Sequence, residues 1–383
     1  MYLKRLFKLM ADRSASDLFV SCGAPIHIKV SGQMQPVSTQ TIDPATAQAI
    51  AYEMMKPEQI ERFEREHEMN VSHIEPELGN FRINIMRQRG TVSMVIRFIR
   101  VTIPDFESLK LPPVLLDLVM SKRGLILVVG ATGSGKSTTL ASMLDFRAKR
   151  APGHIITLED PVEYLMQHKR SLINQREIGH DTKSYDSALV NALRQAPDVL
   201  MIGEVRDRPT FQHVLTHTLT GHMCLTTLHA NNAYHALSRI LAMYPLEHRN
   251  SLLADLSYGL RAVIAQRLIR TKAGTLQPAV EVLLNTALIA DFIQKGEIEK
   301  IKEAMEQSLT PGCQTFEQAL CKMVLDGTVD VNDALAAADS PTNLQWQLNN
   351  AAHSSAISAK SSAPAAPPNA AKAATVDFDI NLT

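Results

Sequence analysis

The stretch that most constrains this chain is "GLILVVGATGSGKST", residues 124–138. Its apolar half does not alternate, so it reads as a strand buried on both faces, the kind found in a parallel sheet covered by helices on either side. Its second half fits G-x-x-x-x-G-K-[ST] through Gly130, Gly135, Lys136 and Ser137. Glycines let the loop over Thr132, Gly133, Ser134 and Gly135 curl so that backbone N–H groups point inward at phosphate oxygens. Lys136 is placed to reach the β and γ oxygens, and the Ser137 hydroxyl, followed by Thr138, is placed to ligate Mg²⁺. The next residues, "STTLASMLDFRAKR", form a good helix whose positive amino end adds to the anion site. A nucleoside triphosphate is the ligand this arrangement predicts.

Around that stretch the chain changes rhythm. "PIHIKVSGQMQPV" (25–37) and "NFRINIMRQRGTVSMVIRFIR" (80–100) alternate like hairpins, and "DPATAQAIAYEMMKPEQIERFEREHE" (43–68) reads as two helices divided at Pro57. Residues 1–100 are therefore expected to form a small α+β domain. A proline-containing linker follows over 101–118. Apolar strands at 124–130, 154–159, 198–203 and 222–230 then alternate with helical stretches, which predicts a mostly parallel α/β sheet over 119–285. Residues 286–345 have a helical pattern. The Ala-, Ser- and Pro-rich tail, 346–383, is expected to be disordered because it has little apolar surface to bury. Its last segment, "VDFDINLT" (376–383), has the character of a docking peptide.

Two strand ends supply carboxylates. "ITLEDPVEYL" (156–165) carries Glu159, Asp160 and Glu163, and "MIGEVRD" (201–207) carries Glu204. Ligands of open α/β sheets sit at the carboxyl ends of the strands, so both acidic segments should converge on the phosphates. "TGHMCLTTLHA" (220–230) sets His222 and His229 on either side of a strand, which is poor spacing for a shared metal. Contact with phosphate, contact with a neighbouring subunit, and a structural hydrogen bond all fit these histidines.

Composition narrows the function classes. Lys+Arg and Asp+Glu are both 39, so no global field favours nucleic acid. The four cysteines form no CxxC pair, which argues against zinc and disulfide frameworks. No window approaches the roughly 18 apolar residues of a membrane span, and the basic opening "MYLKRLFKLM" lacks a following apolar signal region.

Taken in order, "GATGSGKST", "ITLEDPVEYL", "DVLMIGEVRD" and "GHMCLTTLHANNA" resemble the motifs of the secretion-type hexameric ATPases, and within them the type IV pilus retraction ATPases. The opening "ASDLFVSCGAPIHIKVSGQ" is similar to that family's PAS-like domain. The resemblance implies an N-terminal PAS-like α+β domain, a RecA-like P-loop ATPase domain and C-terminal helices. It implies ATP and Mg²⁺ as ligands, Glu163 as the water-activating glutamate, and Glu204 as the acid acting at the metal beside Ser137. His222 and His229 match the family's histidine box, and Arg82 and Arg97 match arginines that reach the nucleotide from the PAS-like domain. The implied partners are five more copies in a homohexamer, a PilT-type ATPase and an inner-membrane platform protein. The implied location is cytoplasmic, peripheral at the inner membrane, and no nucleic acid is expected.

Three departures separate the chain from the PilT branch and favour the accessory PilU branch. The stretch "ALIADFIQKG" (287–296) lacks the arginine of an Ala-Ile-Arg-Asn-Leu-Ile motif, Phe19 stands where histidine is common, and Ala196 replaces an acidic residue. Two other functions fit the same phosphate loop: a RecA-like nucleic-acid translocase, and an ATP-binding regulatory subunit without motor output. The zero net charge and few aromatic residues argue against the first, and the pair Glu163 and Glu204 against the second.

Overall fold

The computed structural model describes residues 2–30, 32–75, 78–99 and 102–361. The N-terminal part is a six-stranded antiparallel sheet with helices packed on one face. Its elements are α1 (Tyr2–Asp12), β1 (Asp17–Ser21), β2 (Pro25–Val30), β3 (Gln33–Thr41), α2 (Pro44–Tyr52), α3 (Pro57–Glu66), β4 (Glu68–Glu75), β5 (Gly79–Gln88) and β6 (Thr91–Ile99). The strand order is β3-β2-β1-β6-β5-β4. The two expected hairpins and the helix pair divided at Pro57 are present, while β1, β4 and α1 had no strong pattern to announce them. Helix α2 starts where Asp43 accepts a hydrogen bond from the Thr46 amide and Pro44 fills the first turn.

Strand β5 shows how this sheet separates core from working surface. Phe81, Ile83 and Ile85 are buried against Phe7, Met10 and Phe63 of the helices, and the Phe7 and Phe81 rings stack at 4.0 Å between centroids. Alternate residues must point the other way, so Arg82 lies on the opposite face, directly across from Arg97 of β6.

The nucleotide-type domain begins with a short 3₁₀ turn (Phe106–Leu109) and α4 (Val114–Val119). It continues through β7 (Gly124–Val129), α5 (Lys136–Arg150), β8 (Gly153–Glu159), β9 (Ser171–Glu177), α6 (Tyr185–Ala192), β10 (Val199–Ile202), α7 (Arg208–Leu219) and β11 (Met223–Leu228). Then come α8 (Ala233–Ala242), α9 (Leu246–Gly259), β12 (Leu260–Arg270), β13 (Leu276–Leu284), α10 (Ala287–Lys295) and α11 (Lys300–Glu306). The strands form one seven-stranded sheet, β13-β12-β7-β11-β10-β8-β9. All pairs are parallel except β12 with β13. Every residue of β7, β10 and β11 is buried, as unalternating apolar runs require. Because the strands run together, the loops after β7, β8, β10 and β11 all emerge at one edge.

A second compact unit begins at Phe316. It contains α12 (Phe316–Leu325), α13 (Val331–Ala337) and α14 (Pro341–Ser361), with Phe316, Leu320 and Leu344 fully buried. The expectation of disorder over 346–383 is corrected at its start, since α14 extends to Ser361. Alanine has the highest helix propensity, and Ala351, Ala352, Ala356 and Ala359 favour continuation of a helix anchored by buried Leu344 and Leu348. Residues 362–383, including the docking segment 376–383, lie outside the described residues.

Ala196, one of the three departures, follows a 3₁₀ turn over Leu193–Gln195 with φ 48° and ψ 54°. An L-residue pays roughly 1–2 kcal/mol there that glycine does not, against roughly 0.5–1 kcal/mol of extra unfolded-state freedom for glycine. Ala196→Gly is therefore expected to raise stability by about 0.5 kcal/mol, read as a higher midpoint in chemical denaturation; a lower midpoint would contradict the strain.

Candidate functional site

Strand β7 delivers the phosphate loop. At Gly130, φ is 153° and an added Cβ would sit 2.4 Å from the Ser134 hydroxyl oxygen and 2.6 Å from the Gln266 carbonyl oxygen, so no side chain fits. Gly133 and Gly135 take φ of 79° and 90°, the left-handed region that lets the loop wrap inward. Lys136 Nζ donates to the carbonyls of Gly130 (3.0 Å) and Ala131 (2.9 Å), which folds the side chain back over its own loop. Burial lowers the Lys136 ammonium from its ordinary value, while the fields of Glu204 and Glu163 raise it again. The buried Ser134 hydroxyl has no hydrogen-bond partner among the described residues.

Glu204 lies just past β10 in a turn fastened on both sides. The Gly203 amide donates to the Leu158 carbonyl (2.7 Å), the Val205 amide donates to the Thr227 carbonyl (3.0 Å), and the Thr227 hydroxyl donates to the Gly203 carbonyl (2.6 Å). One Glu204 oxygen takes Arg206 Nε and Nη2, each at 3.0 Å, and the other lies 3.1 Å from His229 Nε2.

The loop bearing Glu163 is suspended from carboxyl and amide side chains below it. The Glu163 amide donates to Glu159 Oε2 (3.4 Å), the Val162 amide to Glu177 Oε2 (3.3 Å) and the Met166 amide to Gln175 Oε1 (2.7 Å). Gln175 Nε2 in turn donates to the Tyr164 carbonyl (2.8 Å) and to Glu159 Oε1 (3.1 Å), and the Thr138 and Tyr164 hydroxyls share a 2.8 Å bond. Burial pushes the Glu159 carboxyl above its ordinary value, against bonds from Thr157 and Gln175 that favour its charged form. Glu159 thus supports the loop from within, while Glu163 is exposed.

These groups enclose a cavity of about 570 Å³, walled by Thr132, Gly133, Gly135, Lys136, Ser137 and Thr138 on one side and by Glu163, Glu204 and His229 on the other. Gly130 and Ser134 form the base of the loop. A second cavity of about 460 Å³ adjoins it across Gly135, Thr138 and Leu268, between residues 108–111 at the end of the 3₁₀ turn and the β12–β13 hairpin. Buried Gln266, whose Oε1 has no hydrogen-bond partner among the described residues, borders this second cavity.

Three expected site residues are not brought to the cavity of their own chain. His222 precedes β11 and His229 follows it, and an extended strand separates them by roughly 20 Å. His222 instead lies 3.1 Å from the His217 carbonyl oxygen and 3.2 Å from the Thr220 hydroxyl. Arg97 pairs with Asp17 inside its own sheet at 2.9 Å. Arg82 pairs with Glu177 across the two domains at 2.6 Å. Conversely, Tyr164 and Tyr185 line the cavity, and burial raises the Tyr185 hydroxyl above its ordinary value. Gln175 and Glu177 were missed as supports because β9 was missed. Its inward residues are Ser171, Ile173, Gln175 and Glu177, and only one of these is apolar.

The donor set fits Mg²⁺ as an ion that shares its ligands with a bound nucleotide. Among the described residues no group of three or more His, Cys, Asp or Glu side chains could hold a metal ion. Ser137 and Glu204 offer only a few oxygens, which suits Mg²⁺, since that ion keeps several waters and binds phosphates. Among the described residues no helix is long and apolar enough to cross a membrane.

Comparison with known proteins agrees with this geometry. A family model described as "Type II/IV secretion system protein" matches residues 2–362. The chain is 44% identical over 357 residues to the type IV pilus ATPase PilU of Pseudomonas aeruginosa, covering 93% of this chain and 94% of that one. It is 34% identical over 343 residues to PilT of the same organism, named a type IV pilus retraction ATPase, covering 90% and 100%. Of these two, PilU is the more similar, in line with the three sequence departures. A crystal structure of the pilus retraction motor PilT with bound ADP superposes with a TM-score of 0.83 at 36% identity, covering 89% of this chain and 98% of that one.

The Glu159 carboxyl yields a test by pH. A carboxyl raised on folding binds its proton more tightly in the folded chain, so its stabilising effect is full below the unfolded value and is lost as pH rises through the folded one. Glu159→Gln removes that loss. The variant should gain stability relative to wild type as pH rises from about 4.5 into the neutral range, measured as denaturation midpoints across pH; a difference independent of pH would refute the burial effect.

Proposed function

The chain belongs to the type II/IV secretion system protein family, and on that premise we propose that it is an ATP-hydrolysing motor of the type IV pilus machinery that promotes pilus retraction as a PilU-type accessory. The observation that carries this reading is the single cavity in which Lys136, Glu163 and Glu204 meet at the carboxyl edge of the sheet. The pilus assignment is supported by the near full-length similarity to PilU and PilT.

In this reading the loop amides of residues 132–135 bind the β-phosphate, and Lys136 exchanges the Gly130 and Ala131 carbonyls for β and γ oxygens. The ring and ribose occupy the second cavity, where the Gln266 amide oxygen accepts from an exocyclic amine. Glu163, exposed to the cavity, accepts a proton from the attacking water. Ser137 and Glu204 would hold Mg²⁺, which would supply charge stabilisation at the phosphates. His229, 3.1 Å from Glu204, is placed to answer loss of the γ-phosphate.

Six copies form the ring, and His222 and Arg97, which do not reach their own chain's cavity, serve its subunit contacts. Hydrolysis alters the orientation of the N-terminal sheet against the nucleotide domain, a rigid-body movement handed to an inner-membrane platform protein at the pilus base.

Glu163→Gln is expected to lower ATP turnover at least about tenfold, as for loss of a general base, with nucleotide affinity nearly intact in a fluorescent-nucleotide titration. Wild-type turnover in that variant would take Glu163 out of its role. For the accessory assignment, pilus retraction force is expected only in cells that also hold a PilT-type motor; full force without one would make this protein a principal motor.

A further inference from the structure

Among the described side-chain contacts of Glu159, Gln175 and Glu177, the three supports of the Glu163 loop, only those of Glu177 reach into the N-terminal sheet. Glu177 ends β9, the edge strand of the nucleotide-domain sheet, in register with Glu159 of β8. Its Oε2 accepts the Val162 amide at 3.3 Å, immediately before Glu163. Its Oε1 pairs at 2.6 Å with Arg82 Nη2, from β5 of the N-terminal sheet. Its own amide donates to Asp181 Oδ2 at 2.9 Å, which fixes the turn that follows. The other two supports, Glu159 and Gln175, bond only within the nucleotide domain.

Arg82 and Glu177 are both largely shielded, with side chains 25% and 18% exposed, so the pair is screened less than a surface ion pair. Burial lowers the Arg82 guanidinium from its ordinary value, and the charges of Glu177 and Asp160 raise it. In its own sheet Arg82 lies between Ser72 of β4 and Arg97 of β6. Ser72 carries no charge, and Arg97 carries the same charge as Arg82 and is occupied by Asp17. Glu177 is therefore the acid that fixes where Arg82 sits, and Arg82 in turn fixes the angle at which Glu177 presents its second oxygen to Val162.

We propose that Glu177 is a positioning residue: held by Arg82, it sets the backbone at Val162–Glu163, so that the orientation of the N-terminal sheet governs how well Glu163 is placed for hydrolysis. The inference rests on the reading of Glu163 as the base. When the sheet shifts and Arg82 withdraws, Glu177 loses one of its two anchors and the loop bearing Glu163 loosens. Turnover then depends on domain orientation while nucleotide affinity, set by the phosphate loop, does not.

The test uses the full-length assembled protein with Arg82→Gln and Glu177→Ala, singly and together. Each single variant is expected to lower kcat for ATP by about tenfold, a modest loss for a displaced reacting group, with KM within about twofold. The double variant should fall no further than Glu177→Ala alone, because both changes release the same contact. Amide exchange over residues 161–165 should quicken in all three. Glu177→Gln keeps the shape and one acceptor oxygen, so it serves if the alanine variant does not assemble, and its kcat should lie between those of wild type and alanine. Unchanged kcat in Glu177→Ala, multiplied losses in the double variant, or a rise in KM for Arg82→Gln alone would overturn the proposal. Failure of the base reading appears separately: Glu163→Gln would then retain full turnover, whereas full turnover in Glu177→Ala beside an inactive Glu163→Gln defeats only the positioning role.

Discussion

An ammonium group held over its own loop carbonyls, in the field of two carboxylates, organises the rest of this molecule. Lys136 reaches that position because β7 is an interior, wholly buried strand and because Gly130 lets the chain turn where no Cβ fits. Parallel neighbours are then required, since only strands running with β7 bring the turns after β8 and β10 to the same edge. Division of labour between the acids also follows. Glu204 is fastened between Arg206 and His229, whereas Glu163 is exposed on a loop supported by others.

Much of this was legible in the sequence, because the phosphate loop and the acidic strand ends are local features. Each is a short run in which residue type and backbone requirement coincide, such as the glycines at positive φ beside Lys136. The four central strands were equally legible, since burial on both faces leaves an unbroken apolar run. What escaped notice obeys other rules. Strand β9 buries Ser171 and leaves Leu172 half exposed, which inverts the usual pattern, because its inward face exists to hold the Glu163 loop rather than to fill a core. Gln175 and Glu177 were hidden with it.

Residue roles that depend on distance across the fold were the hardest to read. His222 and His229 look like a pair in the sequence, yet a strand separates them. Arg82 and Arg97 look equivalent and do sit side by side in register, but one is held by an acid of its own sheet and the other by an acid of the next domain. The tail shows the opposite error. A composition poor in large apolar residues suggested disorder from 346, while alanine's helix propensity, seeded by Leu344, carries α14 to Ser361.

The apolar clusters of the N-terminal sheet and of the nucleotide domain have no residue in common. Each half thus keeps its own oil-like interior sealed, whatever the angle between them. A change in the angle between the halves therefore need not open either of these two clusters.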